Sequence, residues 1–385
     1  MCKIMISVGE ASGDLHGASV AHALKAIEPG VTIFGMGGKA MQEAGVDIIY
    51  DIADLGIIGF VEIIKNLPRL FKLRDDLAAL MERERPDALV IIDYPDFNMR
   101  LAKIAKEKGI PVISYISPSV WAWRKGRAKE VAKIVEKVAA IFPFEAKAYQ
   151  EAGANVAFVG HPLLDIVKPV MDKAEAYQYF AADPQKPVVL LLPGSRQQEI
   201  ANLLPVMLAA AEKITDVVPE CQFFLPVAST ISREMLHSMI DRYKIKVILT
   251  DKYTYDLMNI AQVGIAASGT VTLEAALLNL PTVIIYKLAA FTYFLGKLLV
   301  KIPYISLPNI IAGRKVVPEL LQYEVTAENI ANETIPVLQN SQLYQTMLQD
   351  LAEVRTRLGE AGAVRRVAEE ILSVAKGQRL SGGPK

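Results

Sequence analysis

Three loops in this chain combine small residues with groups suited to phosphate. In Leu192-Pro193-Gly194-Ser195-Arg196 an apolar run ends, the chain turns at Pro-Gly, and helical spacing begins near Glu199. Helix N-terminal amides, the Ser195 hydroxyl and the forked Arg196 guanidinium together suit a phosphate. Ala267-Ser268-Gly269-Thr270 repeats that design. Gly269 permits close backbone approach, and Ser268 and Thr270 can cap a helix or touch phosphate. Glu274 falls one helical turn past Thr270, where a carboxylate suits the two hydroxyls of a ribose or simply the positive end of the helix. Ser306-Leu307-Pro308-Asn309 is a third polar turn, whose Asn309 amide can donate to a diphosphate or stabilise the turn.

Other loops carry acids. Gly9-Glu10-Ala11-Ser12-Gly13-Asp14 lacks the glycine spacing of a dinucleotide fingerprint. Glu10 and Asp14 would repel phosphate, so Glu10, Ser12 and Asp14 are assigned to sugar hydroxyls, with Asp14 equally suited to capping the next helix. Asp93 directly follows the apolar Ile91 and Ile92. At such a strand tip a partly desolvated carboxylate becomes a better base. Asp96, three residues on, suits a helix cap. Both tryptophans, Trp121 and Trp123, stand in the single loop Ser117–Arg124, a pairing suited to sugar faces, acyl chains or a membrane interface. No D-x-D, H-E-x-x-H, C-x-x-C or P-loop sequence occurs, and His16, His22, His161 and His237 are scattered, so neither metal nor cofactor is expected.

The elements that must hold these loops alternate between short apolar runs and helical spacing. Lys3–Val8, Thr32–Phe34, Ala88–Ile92, Pro111–Ile116, Ala139–Phe142 and Asn155–Val159 read as strands, with helices predicted over Leu15–Ile27, Gly126–Val138 and Glu145–Ala152. The proline-bearing stretch Gly160–Lys173 reads as a linker. The pattern then restarts, with strands at Val188–Leu192, Gln222–Pro226, Val247–Thr250, Val263–Ala267 and Thr282–Tyr286, and helices at Ile200–Val217 and Val271–Leu278. Twofold strand–helix alternation in 385 residues predicts an α/β chain of two doubly wound, Rossmann-like domains facing across a cleft, 1–165 and 166–355, with a disordered tail at 377–385.

Lysine plus arginine equals aspartate plus glutamate at 42 each, so no nucleic-acid partner is indicated. Two distant cysteines and a start that runs straight into an apolar strand fit a cytoplasmic protein. Two stretches nonetheless suit a membrane surface. Leu288–Val300 is too short for a span but sets Phe291, Tyr293, Phe294 and Leu298 among lysines, and Ile57–Arg74 interleaves apolar and basic residues.

Taken together, Gly9-Glu10…Ser12-Gly13-Asp14, Asp93…Pro95-Asp96-Phe97-Asn98, Ser117–Arg124, Pro193-Gly194-Ser195-Arg196…Glu199, Ser268-Gly269-Thr270…Glu274 and Ser306–Asn309 resemble the lipid-A-disaccharide synthases, in order and spacing, from Lys3 to about Ala375. Tyr94 and Lys287 depart from the residues expected at their positions. The resemblance implies a GT-B fold whose last helix, 356–376, returns to the first domain. It implies a UDP-2,3-diacylglucosamine donor, a 2,3-diacylglucosamine 1-phosphate acceptor and a β-1,6-linked product formed with inversion. Asp93 would then be the single base, Arg196 and Asn309 would hold the diphosphate, and Glu274 the ribose. With acyl-bearing substrates, the apolar and basic pattern of the two stretches above suggests peripheral contact with the cytoplasmic face of the inner membrane through Phe291, Phe294 and Leu298; a homodimer is left open. A sugar-nucleotide 2-epimerase of related fold and a non-catalytic lipid-binding protein are the competing readings.

Overall fold

All five residues of the apolar run Ala88–Ile92 are buried, because helices cover both faces of the parallel sheet in which it lies. The computed structural model describes residues 2–55, 60–117, 125–228, 230–287 and 303–377. Contacts divide the chain into two units, Met1–Pro162 with Glu360–Lys385, and Leu163–Gly359.

The first unit runs β1 (Lys3–Ser7), α1 (Ala11–Ile27), β2 (Thr32–Gly37), α2 (Lys39–Glu43), β3 (Asp47–Asp51), α3 (Phe60–Glu84), β4 (Ala88–Ile92), α4 (Pro95–Glu107), β5 (Val112–Tyr115), α5 (Lys125–Ile134), β6 (Lys137–Ala140), α6 (Pro143–Glu151) and β7 (Val156–Phe158). Its seven-stranded sheet has the order β3-β2-β1-β4-β5-β6-β7, with every neighbouring pair parallel. Alternate side chains feed opposite cores, as the two-residue period of a strand requires. Met5, Leu89, Ile91 and Val112 enter one core, and Ile4, Ile6, Val90, Ile92 and Ile113 the other.

The second unit runs α7 (Leu163–Ile166), α8 (Lys173–Tyr179), β8 (Val188–Leu192), α9 (Gln197–Val217), β9 (Gln222–Pro226), α10 (Arg233–Ile240), β10 (Val247–Thr250), α11 (Thr254–Ile260), β11 (Val263–Ala267), α12 (Thr270–Leu277), β12 (Thr282–Tyr286), α13 (Leu307–Ala312), β13 (Glu319–Leu321), α14 (Ala327–Gln339) and α15 (Ser341–Arg357). Its six strands take the order β10-β9-β8-β11-β12-β13, again all parallel. Two doubly wound parallel sheets are thus the fold. Each reverses its winding at one place, β1/β4 in the first unit and β8/β11 in the second, and in such sheets ligands bind at the strand ends beside that reversal.

The last helix, α16 (Ala363–Ala375), belongs to the first unit. Val367, Ala368, Ile371 and Leu372 make one apolar face and are buried in the core that also holds Val20, Ala21 and Leu24 of α1. Arg366 Nε donates to the Val159 carbonyl at 2.8 Å, and Lys137 Nζ meets Glu370 Oε2 at 2.8 Å with both side chains largely buried. Removing either partner of such a pair would leave the other charge buried and unpaired.

Several boundaries differ from the sequence reading. α1 begins at Ala11 rather than Leu15, so Ser12, Gly13 and Asp14 form its first turn and not a loop. Tertiary contact overrides the weak helix preference of Ser and Gly there. The first turn presses so close to the sheet that a Cβ on Gly13 would lie 3.2 Å from Val8 Cβ. The expected helix to Val138 stops at Ile134, because Lys137 is already paired in register with Ile113 of β5. The stretch Gly160–Lys173 is held rather than loose: the Val170 and Met171 amides donate to the buried Asp256 carboxylate at 2.8 and 2.6 Å. The tryptophan loop, the segment carrying Phe291, Phe294 and Leu298, and most of the tail at 377–385 lie outside the described residues.

Candidate functional site

At the β1/β4 reversal the chain leaves β4 through a strained turn. Asp93 and Tyr94 have φ of 51° and 49°, left-handed values that aspartate tolerates and tyrosine rarely adopts. The neighbouring strand β5 ends the same way, with φ of 52° at Ile116. Asn98 supports the Asp93 turn from below. Fully buried in the first turns of α4, it donates from Nδ2 to the carbonyls of Ser7 (3.2 Å), Ile92 (3.3 Å) and Asp93 (2.8 Å), and Ser7 Oγ donates to its Oδ1 at 2.7 Å. One amide thereby ties the end of β1 to the end of β4, leaving the Asp93 carboxylate half-buried at the rim. The Tyr94 ring turns back over Gly9, where a Cβ would lie 2.2 Å from Tyr94 Cδ1, so only glycine fits.

The remaining predicted residues of this unit divide in two. Glu10 and Ser12 are exposed beside this turn, and Glu10 is close enough for its charge to be felt by Tyr94. Asp14 is buried and caps a helix, but α2 rather than its own. Its carboxylate accepts from the amides of Gly38 (2.7 Å), Ala40 (2.9 Å) and Met41 (3.2 Å). Three backbone partners explain why an acid is needed there and leave it little capacity for sugar hydroxyls. Asp96 is not the cap of α4 either: Tyr94 holds that position, and Asp96, in the first turn, pairs with Arg127.

Strand order also gathers residues that spacing could not connect. His16, one turn beyond Gly13, sets its ring edge-on to Tyr115 with centroids 6.3 Å apart, and Tyr115 is the register partner of Ile92, the residue before Asp93. Burial pushes the His16 pKa below 6.5, against the opposing pull of the Asp93 charge. His161 packs tilted against Phe142 with centroids 4.8 Å apart, and burial, with a smaller push from His16, drops its pKa to about 3. Two histidines far apart in sequence are therefore brought together, His16 within reach of the Asp93 charge and His161 within reach of His16. Glu145, in the first turn of α6, is also buried. It accepts from the amides of Ile141 (3.0 Å) and Phe142 (3.4 Å), yet burial dominates and raises its pKa to about 7.

At the β8/β11 reversal the second unit presents two helix N-termini. Arg196 is the N-cap of α9, with its side chain 82% exposed. The Ser195 and Arg196 amides, expected to face phosphate, donate instead to Glu199 Oε2 at 3.2 and 3.4 Å, while Arg196 Nη1 meets Glu199 Oε1 at 2.8 Å. A carboxylate from the first turn of α9 thus occupies those amides. The second terminus differs. Gly269 precedes α12 with no side chain capping it, Thr270 is exposed and Ser268 half-buried. Glu274 is half-buried in the same helix, and burial raises its pKa. Among the described residues no donor reaches its carboxylate, and its charge adds to the burial that lifts Tyr255 to about 12. Asn309 corrects the sequence reading. It is fully buried, its amide donates to the Val317 carbonyl (3.0 Å) and Glu319 Oε1 (2.7 Å), and its oxygen accepts from Val316 (2.7 Å) and Val317 (3.0 Å). With every donor and lone pair occupied, it braces the turn instead of reaching a ligand. Its partner Glu319 also accepts from the Ile305 and Ser306 amides, a role that sequence reasoning missed because β13 was not read as a strand.

Comparison with known proteins fits this arrangement. A family model described as lipid-A-disaccharide synthetase matches residues 4–372. The chain is 42% identical over 372 residues to the lipid-A-disaccharide synthase of Geobacter metallireducens, covering 97% of each. It is 42% identical over 377 residues to that of Nitrosococcus oceani, covering 98% of this chain and 97% of the relative. Among solved structures, the Neisseria meningitidis UDP-GlcNAc 2-epimerase bound to UDP-GlcNAc superposes with a TM-score of 0.65 at 14% identity, over 96% of this chain and 100% of that one. Acinetobacter baumannii MurG gives 0.63 at 15% identity, over 97% and 100%. These structural likenesses establish the GT-B fold class and nothing finer.

Proposed function

The chain belongs to the lipid-A-disaccharide synthase family, and on that premise we propose that it joins UDP-2,3-diacylglucosamine to 2,3-diacylglucosamine 1-phosphate. It is a glycosyltransferase of lipid A disaccharide formation, with a UDP-sugar donor and a glycosyl acceptor. The acceptor 6-hydroxyl oxygen attacks the anomeric carbon, the bond from that carbon to the UDP oxygen breaks, and the proton passes to Asp93. One displacement inverts the α-linked donor to a β-1,6 product. The observation that carries this reading is the half-buried Asp93, held at the β1/β4 reversal by Asn98 and bordered by neutral His16. A base needs that combination of a fixed position and partial desolvation.

On the donor side, Arg196, Ser195 and the open N-terminus of α12 at Ser268, Gly269 and Thr270 hold the diphosphate, and Glu274 accepts from the ribose hydroxyls. Glu10 and Ser12 face the acceptor sugar. Asp14 and Asn309 act through the loops that they brace. UDP release measured with defined lipids, and mass spectrometry of the product, test the reaction. Release should require both lipids and yield one disaccharide 1-phosphate. Release without acceptor would favour the epimerase-like reading.

Both substrates carry acyl chains, and the protein works as a peripheral protein on the cytoplasmic face of the inner membrane. Among the described residues no helix is long and apolar enough to cross a bilayer. The composition of the segment with Phe291, Phe294 and Leu298, bordered by lysines, supports surface docking. Replacing those three with serine should lower binding to anionic liposomes across a salt titration; binding equal to that of the unsubstituted protein would remove the idea.

A further inference from the structure

One cavity in the first unit has no role in the reaction as described so far. It has a volume of about 650 Å³ and lies between α4 and α5, walled by Asp96, Arg100 and Lys103 on one side and Arg127 and Glu130 on the other. The α4 residues fall at i, i+4 and i+7, so they share one helix face. That face begins in the first turn of α4, which follows the Asp93–Tyr94 turn directly.

The cations are arranged unequally. Arg127 is held by Asp96, which is itself 82% exposed. Among the described residues no carboxylate lies within ion-pair distance of Arg100 or Lys103. Arg100 is oriented instead by Phe71 of α3, with its guanidinium carbon 5.8 Å from the ring centroid while Arg74 takes the same ring at 5.2 Å. Stacking of this kind fixes a guanidinium plane and leaves its donors free. Three cations against two carboxylates leave the wall with a net charge of +1, and the unpaired charge belongs to the two residues on α4.

We propose that Arg100 and Lys103 bind the phosphate monoester of the sugar acceptor in this groove, and so set acceptor specificity. The proposal rests on the reaction assigned above. Arg100 and Lys103 stand about two and three turns along the helix that begins just after Asp93, so an acceptor anchored there by its phosphate can present a distant hydroxyl to that carboxylate. Phosphate suits the forked donors of an arginine beside a lysine point charge, and Glu130 on the opposite wall opposes the anion and tempers the affinity.

The test uses the full chain in detergent micelles, with 2,3-diacylglucosamine 1-phosphate and its 1-dephospho counterpart as acceptors. For Arg100→Gln/Lys103→Gln, KM for the phosphorylated acceptor should rise roughly tenfold or more, the size expected for losing charge-assisted hydrogen bonds. KM for the dephospho acceptor and for the donor should not move. Glu130→Gln should lower KM for the phosphorylated acceptor alone, a gain that misfolding could not produce. An equal rise for both acceptors, or no rise, overturns the proposal. Unchanged micelle kinetics with weaker sedimentation on phosphatidylglycerol vesicles also overturns it and assigns the groove to lipid headgroups. If the unsubstituted protein transfers to neither acceptor, the reaction itself is wrong; if it uses both equally well, only the groove is.

Discussion

The two sheets share one strand order around their reversal points, yet the loops there carry opposite chemistry. Beside β8 and β11 stand an exposed arginine, small hydroxyl residues and a helix N-terminus with no side chain across it. Beside β1 and β4 stand exposed Glu10 and half-buried Asp93, with His16 close to Asp93 and His161 close to His16. The same strand order thus carries different side chains at its two reversals, and the proposed reaction would use one for the donor's anion and the other for hydroxyl groups and proton transfer. The difference extends to backbone geometry. Asp93 and Tyr94 adopt left-handed conformations, which over-determined packing through Asn98 sustains, whereas Gly194 takes the equivalent role at φ of 107° without strain.

Exchanging the charge at one end should damage only one of the two functions. Asp93→Asn keeps the shape but removes the proposed base, so turnover should fall by roughly 10²–10⁴ while UDP affinity by calorimetry stays constant. Near-normal turnover would move the proton to another acid, Glu10 or Asp96.

A smaller but still large effect separates the units in stability. Glu145 titrates at about 7 in the folded first unit against an ordinary 4.5. Between those values the unfolded chain ionises while the fold keeps its proton, so stability is fullest below pH 4.5 and falls as pH rises to 7, by about 3 kcal/mol. Glu145→Gln preserves an oxygen for the Ile141 and Phe142 amides and should flatten that fall in urea unfolding at pH 5 and 8. A slope unchanged by the substitution would show that the carboxyl does not titrate as described.

Arg196→Ala should weaken UDP binding roughly tenfold and lower the rate with it, since the charge acts on ground state and transition state alike. Unchanged UDP affinity would leave the second unit's loops without their assigned role. His16→Phe keeps a ring against Tyr115 and removes only the titratable nitrogen. Because the His16 pKa lies below 6.5, the ring is neutral at pH 8, and kcat/KM there should change by less than about threefold. The two proteins should diverge only in acid, where a His16 cation would form beside Asp93. A large loss at pH 8 would instead make His16 part of the proton path.

The chemistry of the loops was legible because residue type and local order carry it. Asp93 after an apolar strand, Pro193-Gly194-Ser195-Arg196 before a helix, and Glu274 one turn into another are readable from neighbours in the chain, since a buried strand and the helix after it are local patterns. Those same patterns gave two doubly wound sheets. What depends on residues far apart in sequence was not legible. Asp14 looks like a local cap, but its three donors lie beyond residue 37; Asn309 looks like a free turn amide, but its partners belong to the turn at 316–317 and to β13. Likewise the meeting of His16, Tyr115 and His161 follows from strands that become neighbours only when the sheet is wound, and no spacing in the chain encodes it. Sequence determined which groups could do chemistry and on which kind of element each stands. Tertiary structure decided which of them remain available, because a polar group buried by folding takes the nearest partner rather than stay unpaired.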